Sequence, residues 1–406
     1  MADGLSDERL ARIEPVLRRY VDDGELPGYL LLISRRGREA LFLSGGQMDV
    51  ERGRPFERDT IVRIYSMTKP IASVALMQLY EQGAFQLDDP VGRYIPGWDR
   101  LQVFAGGDER HFETREADRP MIVKDLLTHT SGLTYGFMHS HPVDALYRAR
   151  VSANDPLETV IATLGELPLQ FSPGTRWQYG MSTDVVGYLV QVFSGQPLDD
   201  YVAEHVTGPL GMSDSGFTVP ADRAGRFAAC YESARGAPGA PAYRRTEDPA
   251  TSRYLGPPAM LSGGGGMVAT IDDYRRFADM LLGKGEFDGV RVLGRKTVEY
   301  MTCNHLPGGR DLAAMGVPVF SETPFADVGF GLGFSVALDP AAANVIDSPG
   351  QFAWGGLAGT YFWVDPVEQL SVVFFAQLIH SDAVATSPPR ILRRRLKPLI
   401  YQALVD

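Results

Sequence analysis

Ser66 stands three residues before Lys69 in the run Ile64-Tyr65-Ser66-Met67-Thr68-Lys69-Pro70. An apolar stretch follows from Ile71 to Tyr80, with Ile71, Val74, Ala75, Leu76 and Leu79 near helical spacing and a stop at Gly83. A helix that opens at Ser66 puts Ser66 and Lys69 one turn apart on the same face. A serine at a helix start also keeps its own backbone N–H outside the helical ladder. One short stretch thus offers a nucleophile, a nitrogen base and one oxyanion donor. Taken alone, the pair carries little weight. The chain has five lysines and 22 serines, so chance can place one three residues before the other, and a serine there also serves as an ordinary helix cap.

A serine hydrolase needs more than this pair. The Gly-x-Ser-x-Gly elbow is absent. Its nearest approach, Gly333-Phe334-Ser335-Val336-Ala337, falls inside an expected strand. In Phe171-Ser172-Pro173-Gly174-Thr175-Arg176-Trp177-Gln178-Tyr179-Gly180-Met181-Ser182, the Pro-Gly pair makes a turn and Tyr179 sits just before a glycine and a helix. Such a tyrosine is usually packing, but beside a lysine ammonium its phenol could take a serine proton and later return it to a leaving group. In Trp354-Gly355-Gly356-Leu357-Ala358-Gly359-Thr360, glycines ahead of a strand allow close approach to the backbone, and the Leu357 N–H is a candidate second oxyanion donor. The same glycines also fit a simple bend.

The elements that position these residues are legible in outline. Residues 7–22 form an amphipathic stripe through Leu10, Ile13, Leu17 and Tyr20, with a kink expected at Pro15. Gly28–Ser34 and Glu39–Ser44 read as strands joined by a hairpin at Arg36-Gly37. From Gly83 to about Val219 the texture is mostly helical, with a charged surface loop over 100–120. Residues 221–259 read as loop. Gly263 to Gly266 lacks a following Gly-Lys-Ser/Thr, so close backbone approach is expected there rather than a phosphate loop. Thr270 caps a helix over 272–282. Strands follow at 330–338, 359–364 and 370–377, and a basic amphipathic helix over 389–404, read as a solvated face, ends the chain. Strands at both ends with helices between them imply one sheet closed by both termini.

Composition narrows the function. At 406 residues the chain can hold two core-bearing regions. Net charge is −11 with no basic patch, which argues against nucleic-acid binding. The acidic start, Met1 to Glu8, has no apolar signal region, and no apolar run is long enough to span a bilayer, so a cytoplasmic protein without a membrane partner is expected. Cys230 and Cys303 make no disulfide framework. His139-Ser140-His141 has no Glu-x-x-His or cysteine beside it, so no metal and no cofactor is expected, and His129 reads as a packed histidine. Trp98 and Trp177 read as core or pocket wall.

The three candidate segments, in this order and at these separations, resemble the serine β-lactamase and penicillin-binding-protein superfamily. Leu126 to Leu133, Ser172 to Thr175 and Gly264 to Thr270 support the likeness. It spans roughly residues 8–400. Within the superfamily, Ser66-Met67-Thr68-Lys69 and Trp354-Gly355-Gly356 are most similar to the family VIII carboxylesterases, which share the class C β-lactamase fold. The resemblance implies an α/β (α+β) fold, with an antiparallel sheet flanked by N- and C-terminal helices and carrying an inserted, mostly helical domain. The expected division is 1–82 and 220–406 for the sheet domain and 83–219 for the helical one, with the active site at their interface.

The resemblance also implies that Ser66 forms the acyl-enzyme, that Lys69 activates it, and that Tyr179 is general acid and base. The backbone N–H groups of Ser66 and Leu357 would make the oxyanion hole, and Trp354, Gly355 and Gly356 would contact substrate, with Trp354 lining the pocket. Two departures bear on substrate. Met181 replaces the asparagine of Tyr-x-Asn, and Trp354-Gly355-Gly356 replaces Lys-Thr-Gly. A lysine there would hold a β-lactam carboxylate by charge, which tryptophan cannot do. The expected substrate is therefore a small, neutral, apolar ester. β-Lactam or amide hydrolysis, acyl transfer to an alcohol, and a sensor that acylates without turnover remain the alternatives. Oligomeric state is not legible.

Overall fold

The computed structural model describes residues 4–234, 242–317, 323–379 and 388–406. Helices α1 (Asp7–Leu10) and α2 (Ile13–Asp22) lead into β1 (Gly28–Arg35), β2 (Arg38–Asp49), β3 (Arg54–Pro55) and β4 (Val62–Arg63). A 3-10 turn, Tyr65–Met67, opens α3 (Thr68–Glu81). Next come β5 (Gln102–Gly107), β6 (Phe112–Glu116), α4 (Val123–Leu127), α5 (Pro142–Arg150), α6 (Leu157–Glu166), α7 (Ser182–Ser194) and α8 (Leu198–Val202). Then β7 (Cys230–Ser233), β8 (Tyr243–Glu247) and β9 (Val268–Ala269) precede α9 (Ile271–Leu282), β10 (Glu286–Phe287), β11 (Val290–Arg291), α10 (Arg295–Met301) and α11 (Leu312–Met315). The chain closes with β12 (Val328–Phe330), β13 (Ser335–Ala337), α12 (Pro340–Ala343), β14 (Phe352–Gly356), β15 (Thr360–Asp365), β16 (Leu370–Phe375), β17 (Leu378–Ile379) and α13 (Pro388–Tyr401).

Eight strands make one antiparallel sheet in the order β12-β13-β14-β15-β16-β1-β2-β3. The two ends of the chain meet at β1 and β16, where Leu30 faces Phe375 and Arg35 faces Leu370. All eight residues of β1 are buried, because both faces of the sheet are covered. Leu30 and Leu32 join a core with Tyr274 and Phe277 of α9. Leu31 and Ile33 turn the other way, to Ile13 and Leu17 of α2 and to Leu392 and Leu396 of α13. The period of two along a strand thus glues the terminal helices to one face and α9 to the other.

Helix α3 is buried from Thr68 to Leu79. A helix apolar on every side belongs inside a protein, and α3 lies between α7 and the sheet core. One continuous cluster of buried side chains joins α3, α7 and α9, so it includes residues from both of the expected chain divisions.

Several local expectations needed correction. The helix break falls at residues 11–12, and Pro15 sits in the first turn of α2, where no N–H partner is lost. Residues 102–116 hold a two-stranded ribbon, not a loop: β6 is exposed, and β5 is anchored to the core by Val103. The expected loop over 221–259 contains β7 and β8, paired antiparallel, with 235–241 outside the described residues. The single strand expected over 330–338 is two strands around a turn, where Gly333 has φ +101° and a side-chain carbon would strike Ser73 Oγ at 2.4 Å. Strand β14 was read only as glycines before a strand.

One buried hydrogen bond ties this core to the Ser66 turn, and one buried histidine packs behind Tyr179. Tyr274, on α9, donates to the Met67 carbonyl at 2.9 Å in a fully buried setting. His129 is wedged among Trp177, Tyr179 and Phe330. Its burial, seconded by the Lys69 charge, pushes its pKa well below the usual imidazole value. Tyr274→Phe should cost about 1 kcal/mol of stability, read from urea unfolding at constant m-value. The unfolded chain binds a proton at His129 below about pH 6.5 that the folded chain refuses. The stability that His129 contributes is therefore present above that pH and lost as pH falls, by up to ~1.4 kcal/mol per pH unit. His129→Gln should flatten the fall in unfolding free energy between about pH 6.5 and 5.

Candidate active site

Ser66 owes its place to the backbone just before it. Tyr65 has φ +42°, a left-handed conformation that costs a non-glycine residue about 1–3 kcal/mol. Neighbours on both sides hold it there. The Ile64 N–H donates to Met267 O at 3.1 Å, and Gln377 brackets Arg63, donating to its carbonyl and accepting from its N–H. The Arg63 guanidinium is fully buried, donating to Ala228 O and Glu247 and lying 4.0 Å from the Phe227 ring centre. The chain thus turns sharply out of β4 into α3, with Ser66 half-buried at the bend.

Lys69 is 1% exposed. Its ammonium donates to Gly264 O at 2.6 Å, Tyr135 Oη at 3.0 Å and Ser66 Oγ at 3.2 Å. The Tyr179 hydroxyl donates to Ser66 Oγ at 2.6 Å, and Lys69 Nζ lies 4.7 Å from the centre of the Tyr179 ring. The structure therefore brings Ser66, Lys69 and Tyr179 into one hydrogen-bonded group, drawn from α3 and from the turn before α7.

Leu357 follows the last residue of β14. Gly356 makes its approach possible: a side-chain carbon there would lie 2.3 Å from Ile64 O. Among the described residues, neither the Ser66 nor the Leu357 backbone N–H has a protein acceptor. Both residues line a cavity of about 650 Å³, as do Tyr65, Tyr135, Tyr179 and Gly264. A nucleophile, two proton-handling groups and two free N–H donors at one opening can support acyl transfer.

Trp354 is placed differently from the expectation. It is 1% exposed and does not line the cavity. Along β14, Phe352 and Trp354 face the main core, and the Trp354 indole meets the Tyr179 ring edge-on at 5.4 Å and the Phe330 ring at 5.4 Å. Trp354 backs Tyr179, while Leu357 reaches the opening. Gly355 and Gly356 also lie outside the cavity lining. The apolar nature of Trp354 therefore has no direct bearing on which substrate enters. Trp177 is buried too, stacked parallel to Tyr179 at 6.3 Å, and Trp98 is buried away from the cavity.

Sequence reasoning missed several members of the site. Tyr135 precedes a glycine, as Tyr179 does, and that shared Tyr-Gly pattern could have revealed it. The glycine run does make the expected close approaches, and it also presents its Gly264 carbonyl to Lys69. Asp184 is fully buried on α7 and accepts from Ser262 Oγ at 2.5 Å and Gly264 N–H at 3.1 Å. Burial raises its pKa, opposed by the Lys69 charge and these donors. His141 is a helix cap, its ring accepting from the Val143 N–H. Among the described residues no group of three or more His, Cys, Asp or Glu side chains could hold a metal ion, and no helix is long and apolar enough to cross a membrane.

Comparison with known proteins gives the family of the chain. The beta-lactamase family model matches residues 13–394. Protein Rv1367c of Mycobacterium tuberculosis is 34% identical over 402 residues, covering 94% of this chain and 97% of that protein. Esterase EstB of Burkholderia gladioli is 31% identical over 388 residues, covering 89% of each. The solved structure of EstCE1, described as a hydrolase with promiscuous acyltransferase activity, aligns with TM-score 0.79 at 25% identity over 97% of this chain and 99% of its own. The chain belongs to the beta-lactamase family and, within it, is a serine hydrolase of the family VIII carboxylesterase kind.

Proposed function

We propose that the protein hydrolyses small or short-chain carboxylic esters through an acyl-enzyme on Ser66. The observation that carries this reading is the contact of Ser66 Oγ with both Tyr179 Oη, at 2.6 Å, and Lys69 Nζ, at 3.2 Å, at the floor of an open cavity. Ser66 Oγ attacks the ester carbonyl carbon while its proton passes to Tyr179 Oη, which in the reacting state has given up its own proton and stands as a phenolate beside the Lys69 ammonium. The Lys69 charge favours negative charge on the Tyr179 oxygen while that oxygen takes part. The N–H groups of Ser66 and Leu357 hold the oxyanion. As the tetrahedral species collapses, the C–O bond to the alcohol breaks and the same pair protonates the alkoxide. Water then attacks the acyl-enzyme, yields its proton to the pair, and releases the acid with Ser66 restored. Tyr135, whose ring meets that of Tyr179 edge-on at 5.4 Å, accepts from the Lys69 ammonium and is a positioning residue.

Acyl transfer is the second reading. It is favoured by the stated activity of EstCE1 and by a cavity of about 650 Å³, which leaves room for an acceptor beside a short acyl group. It shares every step but the last, where an alcohol replaces water.

With p-nitrophenyl butyrate, Ser66→Ala should lower kcat by on the order of 10³-fold or more, and turnover at the wild-type rate would sink the proposal. Tyr179→Phe should lower kcat by roughly 10²–10⁴-fold, the range of a general acid–base group. Tyr135→Phe should lose about tenfold, because it removes one of several contacts of the ammonium. Adding an alcohol and counting ester against acid among the products separates transfer from hydrolysis.

A further inference from the structure

We propose that the substrate carries an anionic group, a carboxylate, remote from its scissile ester bond, and that Arg148 and Arg253 at the cavity mouth receive it. The proposal rests on the Ser66 esterase reading and names its substrate class.

Arg148, on α5, and Arg253, in the segment after β8, line the same cavity as Ser66, and both are exposed. The chain is acidic, with 50 Asp and Glu against 39 Lys and Arg. Many arginines elsewhere are paired with that excess: Arg58 with Glu39 and Asp272, Arg119 with Asp125, and Arg226 with Asp214. What sets Arg148 and Arg253 apart from the other arginines without a carboxylate partner is their place in the lining of the Ser66 cavity. Among the described residues, Arg148 and Arg253 have no carboxylate partner. Arg148 donates by one nitrogen to Gly136 O. Asp144, one turn earlier, is buried and turned away to Thr134, Ser140, His141 and Gln170. Arg253 lies against the Tyr254 ring, 5.3 Å from its centre. Glu247, the carboxylate whose field reaches it, is bound by Arg63 at 2.7 Å and by Ser252.

The one acidic residue in the cavity lining is Asp184, buried in the floor and committed to Ser262 and Gly264. The mouth is therefore cationic, with guanidinium N–H groups free to take a carboxylate by charge-assisted hydrogen bonds. A cavity of about 650 Å³ is in the range that encloses a ligand longer than a short neutral ester.

The test compares two matched pairs. Monomethyl adipate against dimethyl adipate, counted per ester bond, places the carboxylate on the acyl side; 4-acetoxybenzoate against methyl 4-acetoxybenzoate places it on the alcohol side. The charged member of one pair should have at least fivefold higher kcat/KM, and that advantage should shrink with added salt. Arg148→Gln and Arg253→Gln should each lower the charged-to-neutral ratio at least threefold, with Arg148→Lys restoring part of it. Equal or lower kcat/KM for both charged esters, or an unchanged ratio in both variants, overturns the proposal and leaves the esterase reading intact. Absence of Ser66-dependent turnover of p-nitrophenyl butyrate defeats the esterase reading itself.

Discussion

The buried charge of Lys69 is the constraint on which the rest of the structure depends. Taking an ammonium out of water costs several kcal/mol unless its protons find acceptors and a counter-charge lies close. Lys69 is 1% exposed, and its protons reach Gly264 O, Tyr135 and Ser66. Asp184 supplies the compensating field from a fully buried position. It also donates order, since its carboxylate grips Ser262 and Gly264 and so aims the Gly264 carbonyl at the ammonium. A neutral residue at 69 would remove the charge that opposes the burial-driven rise in the Asp184 pKa, so the two groups are electrostatically linked.

Satisfying that ammonium requires distant chain segments to meet within hydrogen-bond distances. Residue 69 comes from α3, residues 135 and 179 from the helical stretch, residue 264 from the glycine run. Small residues at the contacts make it feasible. Carbon added at Gly356 would meet Ile64 O at 2.3 Å, at Gly180 it would meet Leu133 O at 2.4 Å, and at Gly264 it would meet Asp184 Oδ2 at 2.5 Å. The left-handed Tyr65 belongs to the same economy of space. Its strain is small beside the packing of α3, whose buried Leu, Ile and Val side chains each contribute about 1.5–3 kcal/mol.

The parts legible in the sequence were those with local physical signatures. Ser66 and Lys69 share a turn, β1 and β2 flank an Arg-Gly turn, and α9 carries its cap at Thr270. The antiparallel sheet joined by both termini followed from strands at the two ends. What escaped depends on long-range geometry. Tyr135 matters only because the segment after α4 folds back to Lys69, 66 residues earlier in the chain. The sequence makes the motif position of Trp354 visible but not its side of β14, so it suggests a cavity wall where the structure has a buried side chain. The parity of one strand decides between lining a cavity and backing a catalytic tyrosine. Asp184 reads as an ordinary helix residue until its burial beside a lysine is known.

Floor and rim of the cavity therefore answer to different demands. The floor is over-determined: Ser66, Lys69, Tyr179, Gly264 and Asp184 restrain one another, and a change in any one strands a buried polar group. The rim is under-determined. The lining there draws on residues between Tyr135 and Asn154, on Phe217 and on residues between Arg253 and Ser262, among which Phe137, Arg148 and Arg253 are exposed. Phe137 is 52% exposed there, stacked on Tyr135. Rim side chains can change without disturbing the buried charge pair, so one acylation apparatus can serve esters, lactams or transfer acceptors while the walls choose among them. Tryptophan at position 354, buried behind Tyr179, neither supplies nor excludes charge at the opening. Under the proposed substrate class that charge comes from Arg148 and Arg253, where exposure keeps its cost low and its reach toward an incoming anion long.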